Sequence, residues 1–213
     1  MGLIIALFVS YLVGSIPTGY LLVRWVARTD VRRIGSGNVG ATNVTRAAGA
    51  GAGLAVLLLD IAKGLMATCV LAPWLVSSPT TAVRLACGVA AVLGHTFPVW
   101  LRFTGGKGVA TAIGTLLGAE PRLAAVSLGV WAVLFAARRI VSLASVGAAV
   151  AFPIAQMVAA RPLVDVLLGA GLALLIIVRH RANLARLAHG TEPKFSGRTH
   201  GPEGACARVD ETP

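Results

Sequence analysis

The sequence predicts an all-α fold: a polytopic integral membrane helix bundle of about seven transmembrane helices. Three observations carry this. First, 56% of the 213 residues are hydrophobic and 13% are charged, with a mean hydropathy of +0.81, too apolar for a soluble domain. Second, apolar segments recur along the chain, separated by short polar stretches. Third, the basic residues stand at the ends of those segments. The net charge of +11 therefore reads as membrane orientation rather than nucleic-acid binding, and little aromatic content is present to stack bases.

The first helix is expected from Met1 to about Val23, interrupted by Gly14, Pro17 and Gly19. Membrane helices tolerate such breaks where neighbours cover the freed backbone. No basic region precedes this stretch, so it reads as a retained helix and not a signal peptide. Residues 25 to 49 form a polar first loop. A second helix follows over about 50 to 71, with Asp60 and Lys63 three apart on one face. Ionisable groups at membrane depth are costly, and a structural ion pair is expected. After the uncharged loop 72–80 comes a third helix, 81–93, and an irregular stretch, 94–108. A fourth helix runs to about Gly118, a fifth from Arg122 to Ala137, a sixth from Ser142 to about Ala160 and a seventh from Leu163 to Val178. Several are shorter than the roughly twenty residues of a full span, so broken helices or re-entrant loops are expected. Residues 1–195 form one membrane domain, and 196–213, rich in Gly, Pro and charge, form a disordered tail.

Charge sets the orientation. Arg24, Arg28, Arg32, Arg33, Arg46, Arg102, Lys107, Arg138, Arg139, Arg179, Arg181, Arg186, Lys194, Arg198 and Arg208 all fall on one face, 15 of the 19 Lys and Arg residues. The positive-inside rule makes that face cytoplasmic. An odd number of spans then puts the N-terminus outside and the C-terminus in the cytoplasm. The irregular polar segments share the same face.

The longest of these is Gly35-Ser36-Gly37-Asn38-Val39-Gly40-Ala41-Thr42-Asn43-Val44-Thr45-Arg46. Glycines let backbone N–H groups turn inward around an anion. Ser36, Asn38, Thr42 and Asn43 add donors, and Arg46 adds a planar charge suited to phosphate. The plain alternative is a helix connector. Gly35 to Gly40 also fits the dinucleotide fingerprint, but no strand precedes it and Asp60 lies inside an apolar helix, so the match is accidental. In the second stretch, Gly105-Gly106-Lys107-Gly108 lacks the spacing of a Walker loop, yet a lysine among glycines at a helix start suits an anion. The alternative is an interfacial lysine facing lipid head groups. His180 and Asn183 share a face if the seventh helix continues, and His180 is placed to donate to a phosphoryl or carbonyl oxygen or to act as acid or base. A solvated helix end is the alternative. Ser142 and Ser145 either cap the sixth helix or turn toward the same anion.

Absences narrow the chemistry. No histidine has metal-ligand spacing, so no metal is expected. Cys69, Cys87 and Cys206 show no disulfide or metal pattern. No Gly-x-Ser-x-Gly elbow or activated cysteine is present, and acids near the basic face are few: Asp30, Glu192 and three in the tail. The residues point away from a covalent acyl-enzyme, and toward electrostatic positioning of phosphorylated substrates so that one bound group attacks another.

Taken together, Gly35-Ser36-Gly37-Asn38 through Arg46, Gly94-His95-x-Phe97-Pro98 with Gly105-Gly106-Lys107-Gly108-Val109-Ala110-Thr111, Ser142-Leu143-Ala144-Ser145, and His180 and Asn183 before Arg186-Leu187 and Gly190-Thr191-Glu192 resemble the bacterial glycerol-3-phosphate acyltransferases that use acyl phosphate. The resemblance covers about residues 2 to 195. It implies a seven-span enzyme of the bacterial cytoplasmic membrane, with its active site on the cytoplasmic face. The enzyme would move a fatty acyl group from acyl phosphate to the 1-position of glycerol 3-phosphate, giving lysophosphatidic acid and phosphate, the first acylation of phospholipid synthesis. No cofactor is implied, and the partners are the two substrates and membrane lipids, with no nucleic acid. The resemblance gives Ser36, Arg46 and Lys107, with Gly106 in the lysine's loop, the part of holding glycerol 3-phosphate. Gly37, Asn38, Gly40, Thr42 and Asn43 would line the phosphoryl pocket, and His180 and Asn183 would support the reacting centre. Ser142 is expected to bind substrate beside them. With no suitable carboxylate, the base is either His180 or the substrate's own phosphate. The acyl-CoA-using class carries His-x4-Asp, which none of the four histidines here matches. A transporter for a phosphorylated solute is the competing reading, but no internal repeat is found and the polar motifs gather on one face. A structural subunit would leave the polar loops unexplained.

Overall fold

The computed structural model describes residues 1–195; the expected tail, 196–213, lies outside them. Among the described residues all regular structure is helical. The first apolar segment is split into α1, Gly2–Ser15, and α2, Thr18–Val26. The break falls at Ile16-Pro17 because proline has no N–H to continue the ladder. Then follow α3, Ala41–Leu65, a π-helical turn, Met66–Leu71, and α4, Ala72–Leu75. The rest are α5, Thr81–Thr96; α6, Val109–Ala119; α7, Pro121–Arg138; α8, Val141–Val158; α9, Leu163–Arg179; and α10, Arg181–Ala188.

Five stretches are long and apolar enough to cross a membrane: Gly2–Val26, Ala41–Leu75, Thr81–Leu101, Pro121–Arg138 and Val141–Val158. A sixth arises if α9 and α10, bent by 61°, are taken together. The segment expected as the fourth helix is α6, with 11 residues. At 1.5 Å per residue it reaches about 16 Å, half of a bilayer core of about 30 Å.

Four boundaries depart from the sequence reading. The first loop ends at Gly40 rather than Gly49, because Ala41 to Ala48 are helical and Gly49, at φ 87°, only breaks α3 internally. Thr42, Asn43 and Arg46 therefore stand on a helix, not in a loop. The loop expected at 72–80 is helical through Leu75. The third helix extends to Thr96. The chain after Arg179 re-enters a helix, α10, at a sharp angle instead of running on.

Packing follows from small residues. The pairs α1–α5, α7–α8, α3–α6 and α8–α9 make the largest interfaces. Where α3 meets α6, a Cβ on Gly64 would lie 2.2 Å from the Thr111 carbonyl oxygen, and one on Gly114 would lie 1.9 Å from that of Ile61. Such backbone contact is how membrane helices associate without a hydrophobic driving force. Leu85, Val92, Leu116, Phe152, Leu172 and Ile176 form the main core. Phe8, Leu58, Val133, Leu167 and Leu174 face outward, as lipid-facing side chains do. The π-helical turn has its Thr68 carbonyl covered by Arg84 at 3.2 Å, and the expected Lys63–Asp60 pair forms at 2.6 Å. Past the end of α6, buried Glu120 is paired with Arg161 and accepts from Gln156.

Candidate active site

Two glycine-rich turns frame the site: one leads into α3, and the other, before α6, meets the C-terminal end of α9 through Arg179. The first is braced from within. Asp30 accepts from the Arg32 N–H at 3.0 Å, opening a 3₁₀ turn over Val31–Arg33. Gly35 and Gly37 then take positive φ, a region glycine enters without steric cost. The Asn43 amide is buried. Its Nδ2 donates to the carbonyls of Val31 and Ile34 at 3.1 and 2.9 Å, while its Oδ1 accepts from the Ser36 N–H at 3.0 Å. Asn38 Oδ1 accepts from the Gly40 N–H at 2.8 Å, and the Gly37 N–H donates to Ile34. Asn43 and Asn38 thus spend these groups on the turn's own backbone. Ser36, Thr42 and Arg46 stay exposed, and Arg46 lies against Gly35.

The second turn is braced from α5 and α9. The N–H groups of Gly105 and Gly106 donate to the carbonyls of Thr96 and His95, each at 3.1 Å. Their own carbonyls accept from Arg179 at 3.0 and 3.3 Å, and that guanidinium lies over the Phe97 ring at 5.5 Å. Gly106 sits so close to His95 that a Cβ there would be 2.0 Å from Nε2. Gly108, at φ 83°, launches α6. The glycine amides expected to cradle an anion are therefore largely committed. Open donors remain in the first turns of α3 and α6, neither of which has a side-chain cap. Of the ten α-helices among the described residues only α5 has a side-chain cap, from Thr80, so what distinguishes α3 and α6 is that their first turns stand beside Arg46 and Lys107.

Lys107 projects between these elements. Its Nζ donates to Asn183 Oδ1 at 2.5 Å. Asn183 Nδ2 donates to Glu192 Oε1 at 2.6 Å, as does Ser142 Oγ at 2.7 Å, while Arg186 Nε donates to Oε2 at 2.8 Å. Ser142 therefore neither caps α8 nor stands free, and Ser145 instead bonds back to Val141 and accepts from Trp131. Burial pulls the Lys107 pKa down to about 8; Glu192 opposes this, and Arg186, Arg179 and Arg46 reinforce it. Burial works against the Glu192 carboxylate, but the hydrogen bonds from Asn183, Ser142 and Arg186 outweigh it and hold its pKa below the usual range. His180, buried at the α9–α10 bend, has Nδ1 2.8 Å from the Ile176 carbonyl. A carbonyl only accepts, so Nδ1 carries the proton and Nε2 the lone pair.

The structure thus joins Lys107, Asn183 and Ser142 into one network with Arg46 in electrostatic reach, and puts His180 at its base. Glu192, Arg179 and Arg186 were given no part in the site from the sequence, although Arg186 and Glu192 stand in the motif that follows Asn183. The turn after α10 folds Glu192 back into the network, where its oxygens accept from Asn183, Ser142 and Arg186. The available signal was its standing as one of two acids near the basic face ahead of the tail.

A sequence profile of glycerol-3-phosphate acyltransferases matches residues 4–190. The chain belongs to this family. Glycerol-3-phosphate acyltransferases of Gloeobacter violaceus and Myxococcus xanthus are 46% and 47% identical to it, each over 87% of this chain and over 91% and 96% of their own lengths. Among solved structures, PlsY, an integral membrane glycerol 3-phosphate acyltransferase, superposes in its glycerol 3-phosphate form with a TM-score of 0.84 at 38% identity. That match covers 92% of this chain and 96% of that one. Its lysophosphatidic acid form gives a TM-score of 0.81 at 37% identity, with 92% and 97% coverage. The chain is accordingly a multi-pass membrane acyltransferase.

Proposed function

We propose that this protein transfers a fatty acyl group from acyl phosphate to the sn-1 hydroxyl of glycerol 3-phosphate, releasing lysophosphatidic acid and inorganic phosphate. The observation that carries this reading is the pair of uncapped helix N-termini, α3 and α6, beside Arg46 and Lys107. Each offers backbone N–H groups and a positive dipole end to a phosphoryl group, and the reaction brings together two phosphorylated molecules. An apolar groove between α6, α7, α8 and α9 supports the acyl half. It is lined by Val109, Ala112, Trp131, Ala148 and Ile176. Val109 is two residues from Lys107, and Ile176 supplies the carbonyl that holds His180.

In this reading Ser36, Arg46 and Lys107 hold glycerol 3-phosphate. The turn from Gly37 through Thr42 receives the phosphoryl group of the donor. The hydroxyl oxygen attacks the acyl carbonyl, the carbon–oxygen bond to phosphate breaks, and the hydroxyl proton leaves with the phosphate product. Acyl phosphate is a mixed anhydride, so the enzyme has only to neutralise, orient and stabilise developing charge. Residues 1–195 act as one unit, with α6 and the glycine-rich stretch before it together making a seventh crossing, the N-terminus outside, and the site on the cytoplasmic face where the basic residues gather.

Purified protein in vesicles, given glycerol 3-phosphate and palmitoyl phosphate, should release phosphate and form lysophosphatidic acid in equal amounts, and Lys107→Ala should abolish both. Acylation from palmitoyl-CoA alone would overturn the donor. Accumulation of glycerol 3-phosphate inside vesicles without acylation would replace the reading with transport.

A further inference from the structure

Behind the two glycine-rich turns lies a buried charged cluster with no part in the reaction above. Asp60 Oδ1 is 2.6 Å from Lys63 Nζ, 2.6 Å from Thr18 Oγ1 and 3.5 Å from His95 Nδ1. Lys63 also donates to the Ile16 carbonyl at 2.6 Å and to Thr18 at 3.0 Å. Ile16 is at the α1–α2 break. The cluster therefore ties that break, α3 and the end of α5 to one carboxylate oxygen. Asp60 and Lys63 are 1% and 6% exposed. Such a pair is poor value for stability, because desolvation costs as much as the attraction returns, so its placement calls for another explanation.

The placement is next to both turns. His95 Nε2, the nitrogen turned away from Asp60, lies against Gly106, the residue before Lys107. Thr18, the hydroxyl on Asp60, precedes Gly19, where a Cβ would be 1.9 Å from the Val39 carbonyl oxygen of the first turn. A small cavity between the turns is lined by Thr18, Val39, Lys63, His95 and Pro98, and by Ser15, whose buried hydroxyl has no partner among the described residues. The cavity is polar enough for a bridging water.

We propose that Asp60 and His95 are positioning residues: Asp60 fixes the His95 ring, and His95 fixes the Gly106 backbone and hence the reach of Lys107 to its phosphoryl group. Through Thr18 and Gly19 the same carboxylate sets the first turn, so one buried group holds the two anion sites at a fixed separation. This inference rests on the reading of those turns as phosphoryl-binding.

The test compares wild-type protein with D60N/K63M, H95N, G106A and H95N/G106A in vesicles, measuring thermal unfolding, kcat and KM for glycerol 3-phosphate. D60N/K63M removes both charges and leaves no ammonium unpaired. It should unfold near the wild-type temperature while KM rises about tenfold to a hundredfold, the scale of a small misplacement at a reacting centre. In H95N the amide keeps a donor near Nδ1 but vacates the space against Gly106, and KM should rise with folding intact. G106A alone should lose activity by collision with the ring, and H95N/G106A should recover part of it. Well-folded D60N/K63M and H95N with wild-type KM, or strictly additive effects of H95N and G106A, would overturn the proposal. Failure of the wild-type protein to acylate glycerol 3-phosphate would instead remove the reading on which it rests.

Discussion

The alkaline limb of the pH profile gives the sharpest test of Lys107. Its ammonium has a pKa of about 8 in the substrate-free site, because burial outweighs the help of Glu192. Above pH 7 the phosphate of glycerol 3-phosphate is a dianion, since its second pKa is about 6, so the ligand's charge no longer changes. If only the charged lysine binds it, apparent affinity scales with the protonated fraction, about 0.9 at pH 7 and about 0.1 at pH 9. KM should rise about tenfold between those values, or about 1.4 kcal/mol. The assay is KM for glycerol 3-phosphate at saturating palmitoyl phosphate from pH 6.5 to 9.5, corrected for spontaneous donor hydrolysis. Lys107→Arg keeps its charge throughout. Its KM should be higher overall, because a guanidinium cannot copy the single bond to Asn183, but should lack the rise. A wild-type KM flat to pH 9.5, or the same limb in Lys107→Arg, would refute the assignment.

Glu192→Gln keeps the shape of the network but removes its charge, and should raise KM by about tenfold to a hundredfold, the worth of a charge-assisted hydrogen bond. The same change withdraws the anion that supports the Lys107 ammonium, so the alkaline limb should move to lower pH; a limb that stays put would contradict the coupling. Gly114→Ala would press a Cβ into the Ile61 carbonyl at 1.9 Å. Neither backbone can yield cheaply, and thermal unfolding should show a loss of about 1–3 kcal/mol. Ala148→Phe fills the apolar groove and should lower kcat/KM for palmitoyl phosphate while sparing a short-chain donor, by about 0.8 kcal/mol for each methylene displaced. Equal loss for both donors would remove the acyl chain from that groove.

Much of the fold was legible because lipid imposes a simple rule: apolar runs become helices, and Pro17 and the glycines break them. The Asp60–Lys63 pair was legible for the same reason, since i and i+3 share a helix face. The start of α3 was misjudged because Thr42, Asn43 and Gly49 are poor helix formers that local hydrogen bonding overrides. At the site, Lys107, His180 and Asn183 stood out by residue type beside glycines and at a helix end. Asn43 was recognisable as polar, but no pattern says whether an amide faces a ligand or its own backbone. Glu192 and Arg179 escaped because their roles arise from pairings across the chain. Glu192 Oε1 accepts from Ser142, 50 residues away, and Arg179 reaches Gly105, 74 residues away.

The returning segment after α10 has a consequence for how the enzyme is made. Chains insert from the N-terminus onward, and domains form in the order of synthesis. Every long apolar helix among the described residues lies before Glu192, and beyond the bonds of Glu192 itself the segment is fastened by the Phe195 N–H, which reaches the Arg139 carbonyl at 2.7 Å. A nascent chain with these helices in the bilayer, but with Glu192 still inside the ribosome, lacks the acceptor that orders Asn183, Ser142 and Arg186 around Lys107. The anion site would close only after these helices have inserted, so chains truncated before Glu192 would reach the membrane without becoming competent to bind substrate.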